Sequence, residues 1–401
     1  MTRVQIDLAD LALDRGATVL LRARLATCAP GSEVSVHGVA PALAAHLAAW
    51  CRKEGHGFAP AADAGAPSKV VGLLRVGQAH AARWHDAERA GGAAGNGVVS
   101  KPKPTWGLAA RGAIVEAGAP SFSFALDDQD EVWSDNVGQI YRAAAASQWD
   151  PETAIPWNAP RTHPAFVEDA LVQVLTYLIE NETAALLVPA RFCAQVHPHF
   201  REVMQVLAIQ AADEARHIEA ITRRALLARD CLGSSTVGGQ ASLQTLVEEP
   251  DFVMASFLLS VLGEGSFLSL LAFLQTHAPD DCTREIMRLI AIDEARHVAF
   301  GVAHLQRHAQ RDATLTSRLR AAIERRHAAL RHTAGLNAEV FDALVLLAAG
   351  SLEPTAIERG HAAVEELQRQ MDSGRQSRLK KLGFPEHDAQ QLSSLHTRNF
   401  M

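Results

Sequence analysis

The pentapeptide DEARH spans Asp213–His217 and recurs unchanged at Asp293–His297, 80 positions later. Each copy lies in an apolar run with helical periodicity. In a helix, residues three apart share a face. Glu214 therefore stands beside His217, and Glu294 beside His297. The first face continues through Val203, Leu207, Gln210 and Ile221, the second through Met287, Ile290 and Gly301. Both faces are mostly apolar and are expected to point into a core. A carboxylate buried there without compensation costs several kcal/mol, on the order of what a lost buried ion-pair partner costs. A pair of divalent metal ions supplies that compensation.

Two E-x-x-H helices make half of a carboxylate-bridged dinuclear site, and the other half is one Glu from each of two further helices. Upstream of the second motif, Phe257–Phe273 (FLLSVLGEGSFLSLLAF) holds a single acidic residue, Glu264, 30 positions before Glu294. Upstream of the first, Ala170–Val188 offers two. Glu182, 32 positions before Glu214, shares its face with Leu175, Leu178, Ile179 and Leu186. Glu180 shares a more polar face with Gln173, Thr176 and Tyr177 and stays open as the alternative. The expected ligands are Glu182, Glu214, His217, Glu264, Glu294 and His297. Four carboxylates and two imidazoles suit iron or manganese better than zinc. Asp213 and Asp293 are placed to accept a hydrogen bond from a ligand His across the bundle. Arg216 and Arg296 are expected to pair with these or neighbouring carboxylates. Gln210, Phe257, Phe267 and Ile290 are the expected walls of a substrate pocket.

The chain has 401 residues, 48% of them hydrophobic and 21% charged, enough for a sizeable core in two or three domains. Its net charge of −7 provides no basic field for nucleic acid or an acidic membrane. The basic runs Arg223–Arg224 and Arg320–Arg326 read as solvated helix faces. Five cysteines without C-x-x-C spacing exclude a disulfide framework or zinc ribbon. No unbroken apolar run approaches the ~18 residues of a membrane span, and no leader is evident at the N-terminus. The expected compartment is the cytoplasm.

Four zones are expected. Residues 1–80 alternate short strands and helices: VQIDLADL, a helix over Val19–Thr27, the strand SEVSVHGV, a helix over Pro41–Lys53 and a strand over Ser68–Val76. Residues 81–134 are a Gly/Pro-rich linker. Residues 135–330 are a helical bundle, punctuated by prolines and by Gly233–Gly239. Residues 331–401 are a C-terminal helical extension and tail. The fold class is mainly α, a four-helix bundle with extra helices, plus a small α+β domain.

With these motifs in place, residues 135–330 resemble the ferritin-like di-iron superfamily, and the repeated Glu…D-E-x-x-H is similar to that of para-aminobenzoate N-oxygenases. The stretch SQWDPETAIPWN and the ending LHTRNFM are also similar to parts of bacterial di-iron oxygenase-like proteins. The resemblance implies two iron ions, with manganese as a variant, and O2 activation to oxidise a small organic substrate. It implies an electron-donor protein or other reductant, and a homodimer is the expected assembly. Ile290 stands where the N-oxygenase type has a seventh ligand His, and Ile221 where ribonucleotide reductase subunits carry a radical Tyr. A ferroxidase or peroxide-consuming protein, and a non-enzymatic partner-binding protein, are the alternatives. The N-terminal zone resembles the TusA/SirA-like sulfur-carrier fold on LDRGATVLLRARLATCAPGSEVSVHG and LAAWCRKEGHGF, but DRGATVLL lacks that family's C-P-x-P cysteine.

Overall fold

The structure is a computed structural model, and it describes residues 4–61, 70–78, 83–92, 97–331 and 338–395. Ser68, Lys69 and the ending after Leu395 lie outside them. The chain forms two compact units, 1–97 with 109–121, and 98–108 with 122–401.

In the first unit, strands β1 (Val4–Asp7), β2 (Glu33–His37), β3 (Gly57–Pro60) and β4 (Val70–Arg75) build a sheet in the order β1-β2-β4-β3. β1 pairs parallel to β2, and the other pairs are antiparallel. Helices α1 (Ala17–Leu25) and α2 (Leu43–Glu54) connect these strands. Leu21, Leu47, Val34, Val36 and Leu74 form the core, fully shielded from solvent. β3 was not expected from sequence. It is short and flanked by Gly57 and Pro60, and it pairs only with β4, at the sheet edge where Pro is tolerated. Cys51 is buried in this core, which raises its thiol pKa to about 11, so it packs as an apolar group.

The second unit is helical. After α3 (Val137–Ala146) come α4 (Ala165–Cys193), α5 (Arg201–Ala225), α6 (Val237–Val247), α7 (Phe252–Thr276) and α8 (Asp281–Ala309). α4 packs on α5, and α7 on α8. Capping carboxylates fix where the second pair begins. Asp251 accepts from the N–H groups of Val253 and Met254, and Asp280 from that of Thr283. The middle of α7, Phe257–Glu264, is π-helical. α9 (Leu315–Leu330), α10 (Ala338–Ala349), α11 (Pro354–Lys381) and α12 (Glu386–Ser394) follow. α10 packs on α4 and α11 on α7, so the C-terminal helices share a unit with the bundle.

α4 and α7 are each long and apolar enough to cross a membrane, although Glu180, Glu182 and Glu264 interrupt their apolar runs. Their apolarity is spent on helix packing: 67% and 83% of the most apolar windows are buried inside the protein.

Two apolar clusters fill the bundle. One joins Val188, Phe192, Phe200, Val203, Phe257 and Phe300. The other joins Leu171, Leu178, Ile221, Phe267, Ile286 and Ile290. On each long helix the residues of the two clusters lie on opposite sides, in sequence, of the expected ligand. A layer of polar side chains thus divides the core.

Candidate metal centre

That layer contains all six expected ligands. α4 contributes Glu182, α5 Glu214 and His217, α7 Glu264, and α8 Glu294 and His297; every one is at most 5% exposed. They fall into two overlapping groups. One ligand atom from each of Glu182, Glu214, His217 and Glu294 lies within 4.8 Å of the others, and the same holds for Glu214, Glu264, Glu294 and His297. Glu214 and Glu294 belong to both groups. Glu180 is half-buried and joins neither, so burial separates the two α4 carboxylates.

The imidazoles present the same edge inward. His217 Nδ1 is 3.1 Å from Glu214 Oε2 and 3.4 Å from Glu182 Oε2. His297 Nδ1 is 3.0 Å from Glu214 Oε1. The outer nitrogens cross over: His217 Nε2 is 3.1 Å from Asp293 Oδ2, and His297 Nε2 is 3.3 Å from Asp213 Oδ2. Each DEARH aspartate thus holds the histidine of the other copy. These bonds place the proton on Nε2 and leave Nδ1 as a donor atom for a ligand.

A shell of donors surrounds the aspartates. Arg216 Nη2 donates to Asp213 and, at 2.9 Å, to Asp293. Arg296 donates to Asp293. Two residues of the SQWDPETAIPWN stretch, unassigned from sequence, complete the shell. Gln148 Nε2 donates to Asp213 Oδ1 at 2.8 Å, and Trp149 Nε1 to Asp293 Oδ2 at 2.8 Å. They sit just past α3 in a connection without periodicity. The available signal was a Gln-Trp pair preceding an Asp-Pro helix start.

The inner oxygens are treated differently. Glu182 Oε1, Glu214 Oε1, Glu264 Oε2 and Glu294 Oε2 are buried with no hydrogen-bond partner. Burial first, then Glu214's charge, raises the Glu182 pKa to about 8. Burial and the charge of Glu294 hold Glu264 well above the ordinary carboxyl value. Burial also raises Glu294. Glu214 alone is lowered: burial and Glu294 oppose its charge, but His297 and His217 outweigh them. Burial disfavours a charged imidazole at both histidines, yet the surrounding carboxylates hold them well above the usual value. Four carboxyl groups crowd a dry space, and three of them hold their protons more tightly than in water.

The expected pocket residues are distributed over the core. Phe257 belongs to one apolar cluster, Phe267 and Ile290 to the other. Gln210 lies in the polar layer and donates to Glu264 Oε1 at 2.9 Å.

A second buried acidic group contains His163, Glu168 and Asp280. Arg224 occupies its middle, and this corrects the expectation of a solvated Arg223–Arg224 face. Arg224 has no exposed surface, because it lies two turns beyond His217 on the inward stripe of α5. Arg223 instead lies over Trp157 and pairs with Glu152.

No family model and no curated protein matches the chain. Solved structures of R2-like ligand-binding oxidases do. A variant with an aerobically reconstituted Fe/Fe cofactor has a TM-score of 0.50 at 16% identity, covering 62% of this chain and 94% of that chain. A variant with an anaerobically reconstituted Mn/Fe cofactor matches with the same TM-score, identity and coverage, 0.50, 16%, 62% and 94%. The likeness shows the fold: this chain is mainly α and ferritin-like.

Proposed function

We propose that the chain is a metal-dependent oxidoreductase that uses Glu182, Glu214, His217, Glu264, Glu294 and His297 to hold two iron ions, or one manganese and one iron. The observation that carries the reading is the set of four partnerless carboxylate oxygens buried inside two overlapping ligand groups. Charge supports it. Four ionised glutamates carry −4, the Asp–Arg shell is balanced, and two divalent cations restore neutrality. The donors contain oxygen and nitrogen but no sulfur, which suits iron and manganese.

Glu214 and Glu294 would be shared between the metals, with Glu182 and His217 completing one position and Glu264 and His297 the other. Asp213 and Asp293 fix the imidazole tautomers, and Gln148, Trp149, Arg216 and Arg296 fix the aspartates. The two apolar clusters exclude water from the layer. When bound and reduced, such a pair supplies electrons and open coordination sites for O2. An organic substrate is the proposed recipient of the oxidation, with an external reductant restoring the metals.

The test is anaerobic loading with iron(II), metal analysis, then oxygen uptake with and without organic co-substrates. About two metals per chain are expected. No bound metal after iron supplementation sinks the proposal, and oxygen uptake limited to the iron itself turns it into a ferroxidase.

A further inference from the structure

Glu264 ends the π-helical segment Phe257–Glu264, and the chain returns to α-helix at Gly265. A π-helix bonds i to i+5, an α-helix i to i+4. At the return the two registers converge on a single N–H, so one carbonyl there is short of an internal donor. Side chains reach the carbonyls beside this point. Arg378 of α11 donates from Nε to the Val261 carbonyl at 2.6 Å. Ser266 Oγ donates to the Leu262 carbonyl at 2.7 Å and lies 3.4 Å from Arg378 Nη2. Gly265 makes room for this contact: a Cβ there would lie 2.3 Å from Arg378 Nε. Among the described residues Arg378 has no carboxylate within ion-pair distance, so its strongest partner is the α7 backbone. One turn earlier, Ser260 lies on the Glu264 side of α7 and packs against Gly301 of α8.

We propose that Arg378 is a positioning residue that clamps the π-to-α junction of α7 and so holds Glu264 at its place in the carboxylate layer. This gives the C-terminal helix α11, otherwise without a role, a direct part in building the site. Burial lowers the Arg378 pKa to about 10, as fits a guanidinium pressed against backbone. The clamp itself stands on the α7 geometry, and its consequence for a second metal rests on the dinuclear reading above.

The full-length protein tests both parts. In the metal-free protein, Arg378→Met should speed hydrogen exchange at the Glu264–Phe267 amides about tenfold, the factor that losing one charge-assisted hydrogen bond produces. Arg378→Lys, which keeps a donor, should speed it less. In the iron- or cobalt-loaded protein, Arg378→Met should lose about half of the bound metal and change the cobalt(II) d–d spectrum. Gly265→Ala should do the same by displacing the guanidinium, and it carries the test if Arg378→Met does not fold. Leu379→Ala, a core truncation one residue along α11, should lower Tm without moving occupancy. Unchanged exchange at the junction overturns the clamp. Faster exchange with full, spectrally unchanged metal loading overturns its link to Glu264. A wild-type protein that binds no metal defeats the dinuclear reading, while the exchange result still decides the clamp.

Discussion

Arg224 places Nη1 2.7 Å from Glu168 Oε1 and Nη2 3.0 Å from Glu168 Oε2, and the same guanidinium pairs with Asp280. Its Nε donates to Thr283 Oγ1 at 2.9 Å. The layer of Glu182, Glu214, Glu264 and Glu294 has no guanidinium among its inner oxygens; Arg216 and Arg296 stop at the aspartates. Ligand geometry alone would qualify both groups for a metal. Their protonation separates them. Burial raises Glu168 and Asp280, but the bonds from Arg224 outweigh it and both end below the ordinary value. Glu182, Glu264 and Glu294 end above it. One cluster has a guanidinium bonded among its carboxylates. The other has only the two imidazoles facing four carboxyls, the imbalance on which the proposed metal site rests.

The comparison breaks first at Glu214 and Glu294. Each belongs to both ligand groups, so Glu214→Ala or Glu294→Ala should abolish metal binding at both positions, whereas Glu182→Ala or Glu264→Ala should spare about one metal per chain. Glu168→Ala should leave metal content unchanged. Elemental analysis of folded protein reads all five variants. Metal lost with Glu168 would show that the Arg224 cluster is the site.

Arg224→Met reverses the logic. It strands two buried carboxylates, and breaking a buried pair costs about 3–5 kcal/mol. Denaturant unfolding should show that loss while metal per folded chain stays at the wild-type value. A stability change within about 0.5 kcal/mol, the range of ordinary surface substitutions, would mean that solvent reaches the cluster.

pH distinguishes the clusters in sign. Without metal, Glu182 titrates near 8 in the fold and close to the ordinary carboxyl value, about 4.3, in the unfolded chain. The folded state then binds more protons between about pH 5 and 8, so stability should fall as pH rises through that window. His217 and His297, raised in the fold, act in the same direction. Glu168 and Asp280 act oppositely, losing their contribution only in acid as pH falls through their lowered values. Urea midpoints of the metal-free protein at pH 6 and 8 measure the slope. Glu182→Gln should flatten it, and metal uptake at pH 7 should release protons into weak buffer.

How far these clusters were legible follows from periodicity. Glu264 and the DEARH pairs sit on strongly periodic helices, where one carboxylate on an apolar face stands out. Glu182 was already the expected ligand over Glu180, on its more apolar face and its spacing to Glu214, and burial falls on the same side of that choice. Arg224 was misread because adjacent arginines look alike in sequence, although the helix points only one inward. The π-helical turn leaves no trace in a 3.6-residue pattern. Gln148 and Trp149 lie in a connection, where sequence spacing says nothing about which aspartates they reach.

Those two residues supply the smallest predicted effect. Trp149 Nε1 donates to Asp293, whose other partners are His217, Arg216 and Arg296. Trp149→Phe removes one donor of several and keeps most of the ring that lies beside His217 at 6.2 Å. Partners one step behind a metal ligand typically contribute about 10–100-fold to affinity. The remaining donors to Asp293 set the expectation near the lower end, about tenfold weaker binding at the position holding His217. The position holding His297 leans on Asp213 and Gln148 and should be unaffected. Gln148→Ala should produce the mirror image, weakening the His297 position. Competition titrations with a metal-sensitive chelator resolve the two affinities. Equal weakening of both positions in each variant would show that the Asp–Arg shell acts as one coupled unit rather than as two crossed supports.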